Sequence, residues 1–95
     1  METDEAKKTG RPQIITRLRE ILEPWVSDAD LLDDITERTN MIAELGLDSI
    51  GILQVVIGAE KTFGISISDR ELDSDTFAMM GNFVSLVQKK IYENN

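Results

Sequence analysis

The chain has 95 residues, a net charge of −8, 41% apolar side chains and neither cysteine nor histidine. Its length allows one small domain with a modest core, and the missing residue types exclude disulfides, Cys/His zinc sites and catalysis by a cysteine or histidine. An acidic surface disfavours nucleic acid and anionic lipid, and no apolar run approaches the roughly 20 residues that span a bilayer.

Residues 1–10 are polar, mix both charge signs and show no apolar periodicity, which predicts a disordered tail before a single domain over 11–93. The opening Met-Glu-Thr-Asp-Glu has none of the features of a signal peptide. A cytoplasmic protein is expected, and the initiator methionine with polar ends suggests a free-standing monomer. Pro12 suits the first turn of a helix, where its missing N–H costs nothing. Ile14, Leu18, Ile21, Leu22 and Trp25 then recur on one helical face. Pro24 disfavours the helical conformation at Glu23, so the helix should end or kink there, with Trp25 and Val26 packing on the core.

Residues 27–47 read as a long connection, rich in Asp and punctuated by Leu31, Leu32, Ile35, Met41, Ile42 and Leu45. Those apolar residues can pin it across the helices, with a helical turn near 40–45. An EF-hand calcium loop is excluded by the aspartate spacing and the lack of its central glycine, and no other metal site is expected. Asp28, Asp30, Asp33, Asp34, Glu37, Glu44 and Asp48 oppose Arg38 alone in this region. Asp69, Glu71, Asp73 and Asp75 form a second acidic run. Together these suggest basic partners, while any single carboxylate is more simply a solvated one.

A second helix is predicted from Ser49 to Phe63, with Ile52, Val55, Val56, Ala59 and Phe63 toward the core. A buried strand over 52–57 fits the spacing less well. Gly51 and Gly58 each lower helicity by about 1 kcal/mol relative to Ala, and Gly64 should end the helix. Ile65-Ser66-Ile67 reads as an extended link. Ser68 and Glu71 have capping-box spacing, which predicts a short third helix over 69–73. Met80, Phe83, Val84, Val87 and Ile91 mark a last helix over about 78–92, with Lys89 and Lys90 in its final turn to complement the dipole. The result is an all-α fold, a small four-helix bundle with three main helices, one short third helix and a long first loop.

The chemistry-bearing stretch is Leu45-Gly46-Leu47-Asp48-Ser49-Ile50. Gly46 permits a turn that other residues resist, and Asp48 and Ser49 both favour helix starts. Ser49 thus presents a hydroxyl where helix dipole and free N–H groups favour an attached anion. No histidine is present to make it a nucleophile, and a plain N-cap is the simplest account of an isolated Asp-Ser pair.

The stretch resembles the Asp-Ser-Leu modification motif of acyl carrier proteins, preceded there by Leu-Gly. Lys61-Thr62-Phe63-Gly64-Ile65-Ser66-Ile67 resembles the same family's Glu-Phe-Gly-Ile-x-Ile, and the resemblance extends from about Pro12 to Ile91. It implies that Ser49 carries 4′-phosphopantetheine, derived from coenzyme A, whose thiol holds acyl groups as thioesters. It also implies that Asp48 assists a phosphopantetheinyl transferase by helping to hold its Mg²⁺. The protein would be a non-catalytic carrier for fatty acid, polyketide or related lipid assembly, serving acyl-transferring, condensing or modifying enzymes with basic docking surfaces. Ile50, Leu53, Gln54, Ile57 and Lys61 would form the docking face of the second helix, with Asp33 and Asp34 steering encounter. Two readings stay beside it: an aminoacyl or peptidyl carrier of the same fold, and an unmodified acidic interaction module. Ile50 after the serine and the nearly neutral second helix depart from the pattern of routine fatty acid carriers.

Overall fold

A computed structural model describes residues 10–94; of the tail expected over residues 1–10, residues 1–9 lie outside the described residues. Three long helices carry the architecture: α1 (Arg11–Leu22), α3 (Ser49–Phe63) and α5 (Met80–Asn94). Two short helices join them, α2 (Ala29–Asp33) and α4 (Ser74–Ala78), with single 3-10 turns at Glu23–Trp25 and Asp69–Glu71. There is no strand among the described residues. The long helices pack pairwise, α4 lies against α5, and the fold is a small helical bundle.

The periodic residues form the core. Ile14, Leu18 and Leu22 of α1, Val55, Val56 and Ala59 of α3, and Met80, Phe83, Val84 and Val87 of α5 are buried. Phe77 of α4 packs its ring on Phe83 with centroids 5.5 Å apart. Gly58 sets the distance between α1 and α3. A Cβ there would stand 2.7 Å from Ile21 Cγ2, so the glycine is a point of close helix approach rather than only a loss of helicity.

The connection between α1 and α3 is more ordered than its composition suggests. Asp28 caps α2 by accepting the Asp30 N–H at 2.9 Å, and Leu32 plugs the helix into the core. Five residues are too few to show a helical period, so this helix has no signature among the aspartates. Ile35, Met41, Leu45 and Leu47 are also buried, while Leu31 and Ile42 remain exposed. The chain turns as expected over 40–45, with the Glu44 N–H donating to the Asn40 carbonyl.

Four expectations need correction. Trp25 is exposed, because the 3-10 turn after Leu22 rotates it out of the stripe; Val26 alone turns inward. The short helix before α5 lies at Ser74–Ala78, not 69–73. Glu71 does accept the Ser68 N–H at 3.0 Å, but Leu72 is extended and the helix stops after one 3-10 turn. Asp73 then caps α4 through the Thr76 N–H at 3.0 Å. Gly10, placed in the tail by sequence, is the N-cap of α1. Finally, α5 continues to Asn94, so Lys89 and Lys90 are not in its last turn. Lys90 Nζ instead meets Glu71 Oε2 at 2.7 Å, joining α5 to the segment before α4.

The close approach at Gly58 can be tested by filling it. Alanine at position 58 gains about 1 kcal/mol of helix propensity, while overpacking costs about 1–3 kcal/mol. Gly58→Ala is expected to lower stability by up to about 2 kcal/mol, and Ile21→Ala with Gly58→Ala to show favourable coupling in a double-mutant cycle. Strictly additive effects would show that the helices do not meet there.

The ion pair between Glu71 and Lys90 should be visible in the pH dependence of stability. The Lys90 ammonium, helped by the Ser68 N–H, lowers the Glu71 carboxyl from 4.5 to about 2. A depressed carboxyl stabilises the fold fully above its unfolded value, and the contribution is lost as pH falls through the folded one. Glu71→Gln should therefore melt below wild type at pH 7, and the two melting temperatures should converge between pH 4.5 and about 2. A gap that persists at the acid end would assign it to packing instead of charge.

Candidate functional site

The site is built where the loop meets α3. Gly46 adopts φ 71°, a left-handed conformation closed to most side chains. That turn lets Leu45 and Leu47 on either side of it both point into the core, where each is 5% exposed. The Gly46 N–H donates to the Ile42 carbonyl at 3.0 Å and closes the turn. With Leu47 held, Asp48 and Ser49 follow outward at the surface.

Asp48 is the N-cap: its Oδ1 accepts the Gly51 N–H at 2.8 Å, and its carbonyl accepts from Ile52 at 2.9 Å. Gly51 is buried, and a Cβ there would stand 3.2 Å from Leu47 and 3.4 Å from Asp48 Oδ1. The absent side chain leaves space for both the leucine plug and the cap. Ser49 is the first residue of α3, is exposed, and its hydroxyl has no partner among the described residues. The cap role that would account for the serine without any chemistry belongs to its neighbour. Unpaired N–H groups of the first turn lie beside the hydroxyl, an environment that suits an attached phosphate.

A cleft of about 480 Å³ opens beside Ser49, lined by Ile42, Leu47, Ile52, Leu72 and Phe77 with Asp48, Asp73 and Ser74 at polar positions. Its wall joins the start of α3 to α4. Asp73 stays ionised because the Thr76 hydroxyl and N–H hold its carboxyl below the usual range. The serine therefore stands at the mouth of an apolar recess, which suits a flexible arm with an apolar cargo.

The remaining candidate residues divide into two places. Ile50, Leu53, Gln54, Ile57 and Lys61 share the side of α3 opposite the core. Ile50 and Leu53 are 65% and 54% exposed and Lys61 is exposed, while Gln54 and Ile57 are half-buried, Ile57 where α1 draws close beside Gly58. Asp33 and Asp34 lie elsewhere. Asp33 lines a second cleft of about 270 Å³ with Thr16, Arg19, Glu20 and Glu23 of the α1 side. The carboxylates beside Ser49 are Asp48 and Asp73. Sequence places Asp73 only within an acidic run, because its position beside the serine depends on where α4 begins. No group of three or more Asp and Glu side chains among the described residues gathers to hold a metal ion. No helix among them is long and apolar enough to cross a membrane.

Removing the cap should cost stability. Asp48→Ala is expected to lose about 0.5–2 kcal/mol in a denaturant melt, with Asp48→Asn close to wild type. Equal melts for all three proteins would show that this carboxylate does not hold the start of α3.

Comparison with known proteins gives the same region. The family described as phosphopantetheine attachment site matches residues 16–84. An acyl carrier protein of Thermotoga maritima is 26% identical over 82 residues, covering 86% of this chain and 96% of that protein. Acyl carrier protein 3, mitochondrial, of Arabidopsis thaliana is 30% identical over 74 residues, 78% of this chain and 55% of that protein. The anthracycline acyl carrier protein DauA of a Streptomyces species is 31% identical over 58 residues, 61% of this chain and 69% of that protein. No solved structure gives a significant match.

Proposed function

Since the chain belongs to the phosphopantetheine-attachment family of acyl carrier proteins, whose prosthetic group is 4′-phosphopantetheine, we propose that Ser49 is the attachment residue. The observation that carries this reading is the division of labour at the start of α3. Asp48 caps the helix and Ser49 keeps an exposed hydroxyl without a partner. In the attachment step Ser49 Oγ gains the bond to phosphorus and loses its proton, while the diphosphate of coenzyme A breaks and its nucleotide part leaves. The arm supplies a thiol for thioester chemistry. Residues 11–93 act as the carrier domain and hold acyl intermediates without transforming them, while partner enzymes provide the catalysis. Those partners are a phosphopantetheinyl transferase and the acyl-transferring, condensing or modifying enzymes of a fatty acid or polyketide pathway.

Support for the acyl class comes from the cleft, whose inner wall is Ile42, Leu47, Ile52, Leu72 and Phe77. Support for a specialised pathway comes from the exposed side of α3, which has apolar residues where acids would give a charged face, and from the anthracycline relative. Asp48 also serves the modification step, because its exposed carboxylate lies next to the modified hydroxyl, where it would help to hold the transferase's Mg²⁺.

Intact mass after incubation with a broad-specificity transferase and coenzyme A tests the assignment. The wild type is expected to gain one phosphopantetheine, and Ser49→Ala none, with an unchanged melt because Ser49 does not cap the helix. Asp48→Asn, which preserves the cap, should load more slowly by about ten-fold or more, the effect of one charged contact on a reaction. Loading of Ser49→Ala would move the site elsewhere, and failure of two transferases on the wild type would overturn the carrier reading.

A further inference from the structure

The cleft that holds Asp33 has Thr16, Arg19, Glu20 and Glu23 along its α1 side. They stand on the face of α1 opposite the buried Ile14, Leu18 and Leu22, and the cleft shares no lining residue with the one beside Ser49. Three features here have no part in the chemistry of the serine. Arg19, Glu23 and Asp33 border one small cavity, yet none of them forms an ion pair or a side-chain hydrogen bond among the described residues. The Nε–H of Arg19 is buried without a partner, and a donor left so is destabilising. Trp25, the single tryptophan, stands exposed two residues beyond Glu23, in the 3-10 turn that rotates it off the core stripe.

We infer that this cleft is a second binding site, separate from the α3 face, and that it takes an arginine-bearing peptide segment of a partner protein. Its cavity of about 270 Å³ is smaller than the roughly 300–1,000 Å³ that enclose a small-molecule ligand. It has room for one long side chain and a short stretch of backbone. The walls select that side chain. Glu23 and Asp33 offer carboxylates to a guanidinium, with Glu20 beside them in an exposed contact of 3.4 Å to Arg17. Trp25 offers a ring on which a guanidinium stacks better than an ammonium. Arg19 sets a second requirement. It repels an incoming cation, so a free amine or guanidine gains little there. A backbone carbonyl next to the incoming arginine accepts the Arg19 Nε–H and turns that repulsion into a contact. From Glu23 to Asp34 the chain has five acids and no base, so the field at this cleft favours a basic segment. A metal ion is not the occupant, because no three acidic side chains among the described residues gather to hold one. A second copy of the chain is a poor occupant, since each carries a net charge of −8. Occupation needs no modification of Ser49 and leaves that residue uncovered, so a partner held here keeps the chain while the serine is used elsewhere.

The test titrates the full, isotope-labelled apo chain with the peptide acetyl-Gly-Arg-Leu-Arg-Gly-amide and with its lysine and citrulline counterparts. Amide and Trp25 indole resonances locate the peptide, and the amide spectrum of each variant reports its fold. The arginine peptide is expected to shift Arg19, Glu23, Trp25 and Asp33, with a Kd on the order of 1 mM, and to leave Ser49, Ile50 and Leu53 unmoved. The lysine peptide should bind about three-fold more weakly, and the citrulline peptide, which keeps the shape without the charge, about ten-fold. Glu23→Gln with Asp33→Asn should weaken binding by about five-fold. Asp69→Asn with Asp75→Asn, the same change of charge away from the cleft, should alter it by less than about two-fold. Arg19→Met separates recognition from bulk attraction. It removes a positive charge, so attraction alone would tighten binding, whereas loss of the Nε–H should weaken it by about three-fold. Tighter binding to Arg19→Met, equal effects from the two pairs of acids, or shifts centred on Ile50 and Leu53 would each overturn the inference. So would a lysine peptide that binds as well, or no shift in millimolar arginine peptide. Sedimentation of the apo chain as a dimer that Trp25→Ala dissociates would give the surface to a second copy instead.

Discussion

The start of α5 is held by the backbone of a much earlier loop, at Glu37 and Thr39, and the position of the candidate site depends on that contact. Met79, the residue before α5, has no side-chain oxygen with which to cap it. The Thr39 carbonyl accepts the Met80 N–H at 2.7 Å and the Glu37 carbonyl accepts the Gly81 N–H at 2.8 Å, so the loop does the capping. In return the Met41 N–H reaches the Phe77 carbonyl at 3.0 Å. Gly81 permits this approach, since a Cβ there would stand 3.0–3.2 Å from atoms of Glu37. Arg11 closes the arrangement from α1. Its guanidinium binds the Glu37 carboxylate at 2.7 Å and the Gly81 carbonyl at 2.8 Å. A polar group buried without a partner costs more than a hydrogen bond gains, so these reciprocal contacts are what allow a long connection to lie flat across the helices. Once Met41 is fixed, Leu45 and Leu47 fall into the core, Gly46 takes its left-handed turn, and the Asp48-Ser49 pair emerges at one defined place.

The glycines of α3 show how local preference yields to the same requirement. On propensity alone, two glycines and several β-branched residues make this a poor helix. Gly51 makes room for Leu47 and the Asp48 carboxylate, and Gly58 makes room for Ile21. Each sacrifices helicity to bring the helix close to an element that holds it from outside. Stability of α3 is therefore tertiary in origin, and its first turn is held on both sides, by the cap within the chain and by the leucine plug beneath it. A helix start held in this way fixes where the Ser49 hydroxyl stands on the surface.

Much of this is legible in the sequence, and the limits have physical causes. The three long helices follow from apolar spacing sustained over several turns, and the turn and helix start that make the candidate site follow from Leu45-Gly46-Leu47-Asp48-Ser49. Two short helices are different. Neither α2 nor α4 is long enough to display a period, and each is started by an aspartate that composition alone counts as loop. The spacing of Ser68 and Glu71 correctly implies a local bond and wrongly implies a longer helix, since a capping interaction says where a turn begins and not whether the next residues continue it. Sequence pairs Lys90 with its own helix dipole. Besides Glu93 on the same helix at 3.6 Å, it meets Glu71 at 2.7 Å, which is distant in the chain, and long-range pairing leaves no trace in spacing. The same holds for Asp33, whose neighbourhood with α1 depends on a helix too short to foresee.

Charge shows most clearly what counting residues omits. A net charge of −8 describes the field far from the molecule, and every carboxylate contributes to it. At contact distance the carboxylates are not equivalent. Glu37 faces Arg11, Glu71 faces Lys90, and Glu44, Glu60, Asp28, Asp48 and Asp73 each accept a backbone N–H. These groups hold loops and helix starts, and their positions are fixed by that work. At separations beyond a Debye length of about 8 Å the partner responds only to what escapes screening. Within it, the partner meets particular side chains, and along the exposed stripe of α3 those are isoleucine, leucine, glutamine and one lysine. An acidic protein can thus carry a strongly negative field at a distance and yet present, on the residues that follow Ser49, a surface that is apolar with a single lysine.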